Sequence, residues 1–289
     1  MAQQYKVEQQ SELLEFLFSS LEGWAKKSVK QRLQNGSVRV NGMVIKKHNH
    51  LLKIGDIIEI DSAKQTKPIT HDTAPKLEII YRDDDLIAIN KPAGLLSVGT
   101  TSENKLHALF MLREQLSRGK DEVVKLWPVH RLDRDTSGVL LFATSKMVRE
   151  MVMNDWASCE KIYLAIVRGT PKGEGGTINQ PIRMDENEYR MHVGKHPDAK
   201  PAITHYKFKK GTPKHTLLEV RIETGRQHQI RAHMAWLGHS VVGDERYGKK
   251  GDRMGLHSFK LSIVHPVSKM PLTFEIDAPK DFYALMEQS

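Results

Sequence analysis

Within PVHRLDRDTSGVLLFATS, residues 128–145, two carboxylates, Asp133 and Asp135, stand among His130, Arg131 and Arg134, just ahead of an apolar run. A carboxylate closed away from water tends to protonate, and a guanidinium beside it opposes this and keeps it ionised. Held negative, it can act as a nucleophile or stabilise developing positive charge. The plain alternative is a solvated turn in which Asp133 only bridges Arg131 or Arg134. By the same plain reading Tyr163 is core and Arg231 a surface helix charge.

Three other chemistries can be weighed on spacing. Asp133 to Ser137 echoes the DxDxT signature of haloacid-dehalogenase-type phosphatases, in which the first Asp is phosphorylated and magnesium bridges the pair. That signature needs an apolar strand before the first Asp, and here the apolar run comes after it. The stretch GDERYGKK, residues 243–250, is one residue short of a Walker loop. It carries Lys250 where a hydroxyl must reach magnesium, and Asp244 and Glu245 where amides must face phosphate. His228 and His233 share a helical segment, but a five-residue spacing sets them about 140° apart on a helix, unlike an i, i+4 zinc pair. Hydrogen bonding or packing is the expected role for both.

The elements that must position these groups follow from composition and pattern. The 289-residue chain is 39% hydrophobic and 27% charged, with a formal charge of +9, so it has ample core and an electrostatic preference for a polyanion. Cys159 is the sole cysteine, which excludes a disulfide framework and a cysteine-based zinc site. No run approaches the ~18 apolar residues of a membrane span, and the start lacks a secretory pattern. A cytoplasmic protein without membrane attachment is expected.

From Gly23 to Lys53 there are eight basic residues and no acidic one. SELLEFLFSSLE and AKKSVKQRLQNG have helical spacing, SVRVNGMVIKK alternates around Asn41-Gly42 as a hairpin, and GDIIEI reads as a closing strand. This predicts a small α+β domain over 1–60 and a polar linker over 61–75. Lys26, Lys27, Lys30, Arg32, Arg39, Lys46 and Lys47 would then meet phosphate. Over 76–289, LEIIYR, LIAINK, GVLLFATS, KIYLAIVRG, AITHYKFKK, HTLLEVRIE and LTFEI read as strands. NKLHALFMLREQL, KMVREMVMNDWAS (capped by Thr144 or Ser145) and RQHQIRAHMAWLG read as helices. Mostly antiparallel strands with helices packed on them predict an α+β domain with a mixed, largely antiparallel sheet.

The motifs NKPAG, HRLDRDTSG, KIYLAIVRG, TGRQHQIRAHMAWLGH and GDERYG, in that order, together with LHSFKLSIVHPVSKMPLTFEIDAPKDF, resemble the RluA-type family of pseudouridine synthases. The N-terminal window, with G-x-V-x-V-N-G and GD-x-I, resembles the S4 RNA-binding domain. The resemblance implies isomerisation of uridine in RNA: the bond from C1′ to N1 breaks, the base turns, and C1′ rejoins at C5. No cofactor and no metal are required. It assigns catalysis to Asp133, with Arg231 as its ion-pair partner and Tyr163 stacking on the base and helping to remove the C5 proton. Ile230 would pack on the uracil, and Arg131 would fill the gap left by the everted base. His130 and Lys91 join the expected substrate-binding set, and Asp135 and Thr136 are expected to shape the turn. The implied partner is structured RNA, ribosomal by preference with tRNA open, and the implied state is a monomer. The other function classes are an inactive RNA-binding protein on this fold and a magnesium-dependent phosphatase.

Overall fold

The computed structural model describes residues 3–21, 23–34, 36–60, 76–99, 107–119, 123–186 and 188–287. The chain divides into two compact units, Met1–Ala74 and Pro75–Ser289. The segment 61–75, expected to be a linker, lies outside the described residues, as does the start of the NKLHALF helix reading at 104–106.

In the first unit the helices Leu13–Ser20 and Lys26–Gln34 cover a four-stranded antiparallel sheet ordered Gln3–Lys6, Ile57–Ile60, Val38–Val40, Met43–Val44. Leu13, Leu17, Leu21, Val29 and Leu33, at spacings of four, bury one face of each helix against Val38, Val40, Ile58 and Ile60. Asn41 and Gly42 both take positive φ, the conformation of a tight hairpin turn. The Asn41 carboxamide also donates to Asp56 and accepts from Ile57 N, at 2.9 Å each, tying the hairpin to the closing strand.

The second unit is α+β. Its ten-stranded sheet runs Gly175–Asn179, Ile203–Gly211, His215–Ile222, Glu160–Arg168, Leu256–Val264, Ser137–Ala143, Leu86–Lys91, Glu78–Arg82. Two further strands, Pro271–Glu275 and Trp127–Pro128, pair off this path. Each of these pairings is antiparallel except that of Ser137–Ala143 with Leu256–Val264, which meet in parallel over two residue pairs. The close approach there needs a glycine: Gly138 has φ +108°, and a Cβ on it would collide with the Ser258 backbone. Ser137–Ala143 is buried along its whole length. Val139, Leu141 and Ala143 face one core cluster and Leu140 and Phe142 face another, so the strand is a rigid central plank.

Helix ends follow local chemistry. Ser145 Oγ accepts from Val148 N and opens the helix Lys146–Asn154. The RQHQIRAHMAWLG helix starts later than its pattern suggests, at Gln229–Trp236, because His228 is left-handed at φ 51° and cannot continue a helix. Gly238, at φ +90°, follows its C-terminal end. A polar hairpin, Ile182–Asp185 with Arg190–Val193, also went unread in the sequence. No helix among the described residues is long and apolar enough to cross a membrane.

Candidate active site

Asp133 lies in the loop that leads into the central strand, and that loop is clamped from two sides. Ser97 Oγ donates to Leu132 O at 2.8 Å and accepts from Leu132 N at 2.9 Å. Lys91 Nζ donates to Arg134 O at 2.9 Å, and to Leu95 O and Pro92 O at 2.7 and 3.0 Å. The turn itself closes through Thr136 N to Asp133 O at 3.2 Å, so a backbone bond shapes it where side chains of Asp135 and Thr136 were expected to. Asp133 keeps its side chain 23% exposed, in the wall of a cleft of about 1200 Å³.

Opposite stands Arg231, in the first turn of the helix Gln229–Trp236. Its Nη1 donates to Asp133 Oδ2 at 2.7 Å, while Nε and Nη2 form a fork onto Asp244 at 2.6 and 2.8 Å. Asp244 is buried and also accepts from the backbone N–H groups of Arg246 and Tyr247. Such bidentate geometry fixes the guanidinium plane, and with it the direction of the remaining N–H groups. Burial works against the charge on Arg231. The Asp244 bonds and the charge of Asp133 outweigh this and push its pKa up, so it is a permanent cation. Gly243, at φ +75°, turns the chain into Asp244 where a side chain would strike the Arg253 backbone.

Beside the pair a small recess is lined by Tyr163, Ile230, Leu256, Ile222, Thr136 and Arg131. Tyr163 sits next to an irregularity of strand register between Ile162 and Tyr163, a device that re-aims a side chain. Burial, opposed by a hydrogen bond with Ser258 and helped by the Asp133 charge, pushes its hydroxyl up to about 12. It is therefore a neutral phenol at physiological pH. Ile230 is buried and packs in the same cluster as Tyr163. Arg131 is exposed on the rim and lines both the cleft and the recess. Tyr189, at the tip of the polar hairpin, is 71% exposed on the cleft wall and held at φ 48°.

Two expected substrate contacts are corrected. His130 lines neither cavity: its ring stacks on Trp156 with centroids 5.1 Å apart, and its Nε2 accepts from Leu141 N at 3.2 Å. Burial, aided by the Lys161 charge, pushes it down to about 4, so it is a neutral packing group. Lys91 is wholly buried at the end of its strand, and its three ammonium hydrogens are used by backbone carbonyls. Burial pushes its pKa down to about 7, against the pull of Asp135 and Asp133. It braces the loop and lines neither cavity.

Sequence reasoning missed Asp244, Ser97, His228 and Tyr247. His228 Nδ1 lies 3.1 Å from the Tyr247 hydroxyl, in the hydrogen-bonding role read for it, and its Nε2 lies 3.8 Å from Asp133 Oδ1, a placement the sequence did not show. His233 is buried between Thr204 Oγ1 and Gln180 O, in the hydrogen-bonding role read for it. Among the described residues no group of three or more His, Cys, Asp or Glu is arranged to hold a metal ion. In the first unit Lys26, Lys30, Lys46 and Lys47 are exposed, and Lys27 lies on the same helix as Lys26. Arg32 stacks on Trp24 and Arg39 donates to Gly42 O, both half-buried.

A family model described as RNA pseudouridylate synthase matches residues 85–236. The chain is 32% identical over 290 residues to a Bacillus subtilis (strain 168) protein named uncharacterized RNA pseudouridine synthase YlyB, covering 97% of this chain and 95% of the relative. It is 30% identical over 286 residues to ribosomal large subunit pseudouridine synthase D of Escherichia coli (strain K12), covering 91% of this chain and 86% of the relative. The solved structure of human RNA pseudouridylate synthase domain containing 1 is similar with a TM-score of 0.58 at 27% identity, over 71% of this chain and 84% of the other. That of human RNA pseudouridylate synthase domain containing 4 gives 0.60 at 25% identity, over 73% and 92%.

Proposed function

The chain belongs to the RluA-type family of RNA pseudouridine synthases and isomerises uridine in RNA; from that premise we propose that its substrate is large-subunit ribosomal RNA and that Asp133 is the reacting group. The ribosomal target is supported by the names of its relatives from Salmonella typhimurium and Escherichia coli. The cytoplasm, where that RNA is made and folded, is the corresponding compartment.

The observation that carries the catalytic assignment is the Asp133–Arg231 ion pair, 2.7 Å long, set where an open cleft meets an apolar recess. A cleft of about 1200 Å³ exceeds the roughly 300–1,000 Å³ usual for small-molecule pockets and suits an RNA fold with one base turned in. Arg231 holds Oδ2, and among the described residues Oδ1 makes no hydrogen bond. Oδ1 is thus the oxygen free to meet C1′. Tyr163 and Ile230 offer an aromatic and an aliphatic face to the uracil ring. Arg131, on the rim, enters the stack that the base has left, and Tyr189 offers a ring to a neighbouring base.

We read the N-terminal unit as an S4-like domain whose Lys26, Lys27, Lys30, Lys46 and Lys47 contact phosphate, with Arg32 and Arg39 beside them. The test of the central assignment uses large-subunit ribosomal RNA transcribed with C5-tritiated uridine. Asp133→Asn is expected to release no tritium while binding that RNA with affinity close to that of the wild type. Normal turnover by this variant would refute the assignment.

A further inference from the structure

His228 is built into the Asp133 centre with more constraint than packing requires. Its left-handed backbone is uncommon for a non-glycine residue and persists only where surroundings impose it. The Gln229 side chain imposes it: Oε1 accepts from Arg226 N and Thr224 Oγ1, and Nε2 donates to Ile203 O and Thr204 Oγ1. The turn so fixed presents the imidazole to both the cleft and the recess.

The Tyr247 hydroxyl accepts from Met191 N at 2.8 Å and lies 3.1 Å from His228 Nδ1. With the phenol O–H donating to Nδ1, the imidazole N–H is on Nε2, 3.8 Å from Asp133 Oδ1. That distance is too long for a hydrogen bond, so the donor is unspent in the free protein.

We propose that His228 is a catalytic residue that donates its Nε2–H hydrogen bond to uracil O2 as the glycosidic bond breaks. This rests on the pseudouridine synthase reading and adds to it a donor for the leaving base. When C1′–N1 breaks, both electrons stay with the uracil ring and the negative charge spreads onto O2 and O4, while Asp133 holds C1′. O2 flanks N1, so a base attached at C1′ brings O2 to the neighbourhood of Asp133, where the donor waits. After the ring turns, C5 gives an electron pair to C1′, the bond between C1′ and Asp133 Oδ1 breaks with its electrons returning to the carboxylate, and the C5 proton passes to solvent. His228 transfers no proton and is regenerated without change. Its neutral form is the useful one, because an imidazolium would pair with Oδ1 and blunt the carboxylate. Burial, with Arg231 and Arg246, favours the neutral form, against Asp133 and Asp244; Tyr247 completes the surroundings.

The experiment is single-turnover tritium release from the C5-tritiated transcript, with RNA affinity measured alongside. Asn at 228 tolerates the left-handed backbone and places an amide near Nδ1 but nothing at Nε2. Gln reaches the Nε2 position. His228→Asn is expected to slow release by about 10²-fold, the scale of one missing oxyanion donor, with affinity within about threefold. His228→Gln should recover at least about tenfold of that loss and lose the acid limb of the pH–rate profile, which a packing role would not alter. Tyr247→Phe should slow release by about threefold to tenfold. An Asn variant within about threefold of wild type overturns the proposal, as does a Gln variant no faster than Asn. Absence of release by wild type refutes the synthase reading on this RNA, and the proposal falls with it.

Discussion

On the proposed function, single side chains at this site divide between those that would meet the substrate and those that aim them. Asp244 belongs to the second kind. Replacing it with Asn puts an amide N–H against a guanidinium N–H and breaks the fork that orients Arg231. Asp244→Asn is expected to lower kcat by about 10- to 10²-fold with KM within about threefold, because Arg231 stays present but loses its aim; steady-state kinetics on the same transcript check this. A matched rise in KM would mean that Asp244 helps to bind RNA instead. Asp133, Tyr163, Ile230 and Arg231 were legible because each lies inside a recognisable motif, and the fold brings these four together. Asp244 was not, although it lies in the quoted GDERYG stretch, since spacing alone does not reveal the guanidinium that it holds. His228 was read as a helix residue because spacing cannot show that Gln229 forces the preceding residue left-handed. His130 and Lys91 were misread for the opposite reason: a polar residue inside a motif looks like a ligand contact, whereas these two hold the strand that carries the motif.

At the scale of elements, apolar runs revealed the strands buried on both faces, such as Ser137–Ala143, and alternation revealed His215–Ile222, whose burial follows period two from Thr216 to Ile222. The hairpin at Ile182–Asp185 and Arg190–Val193 escaped because its strands are only four residues each, half of them polar, and mostly only partly buried. The central strand is tied down partly through His130, whose ring bonds Leu141 N. Folding lowers this group's pKa from 6.5 to about 4, so between those values the unfolded chain binds the extra proton. Stability therefore rises with pH across that window: the contribution is complete above about pH 6.5, is lost progressively as pH falls, and is flat below about 4. The upper bound is on the order of 3 kcal/mol for a shift of this size. His130→Gln keeps an acceptor for Leu141 N but cannot titrate, and it is expected to flatten the curve of unfolding free energy against pH between 4 and 6.5. Denaturant titrations at several pH values would show this, and an unchanged slope would exclude His130 as the source.

For the whole molecule, the proposed function assigns chemistry to the second compact unit and RNA grip to the first. Replacing Lys26, Lys30, Lys46 and Lys47 with Ala should weaken RNA binding and flatten its salt dependence by about 0.7 to 0.9 log units per log unit of salt for each phosphate no longer neutralised. A slope equal to that of the wild type would mean that the first unit does not meet phosphate. Among the described residues of the second unit, the strand Leu256–Val264 alone joins two half-sheets. One half carries Tyr163, while the other is led into by the Asp133 loop. That joint lies later in sequence than both Asp133 and Arg231. Substitutions that weaken it, far from the cleft, are expected to disturb the facing of the two groups without touching either.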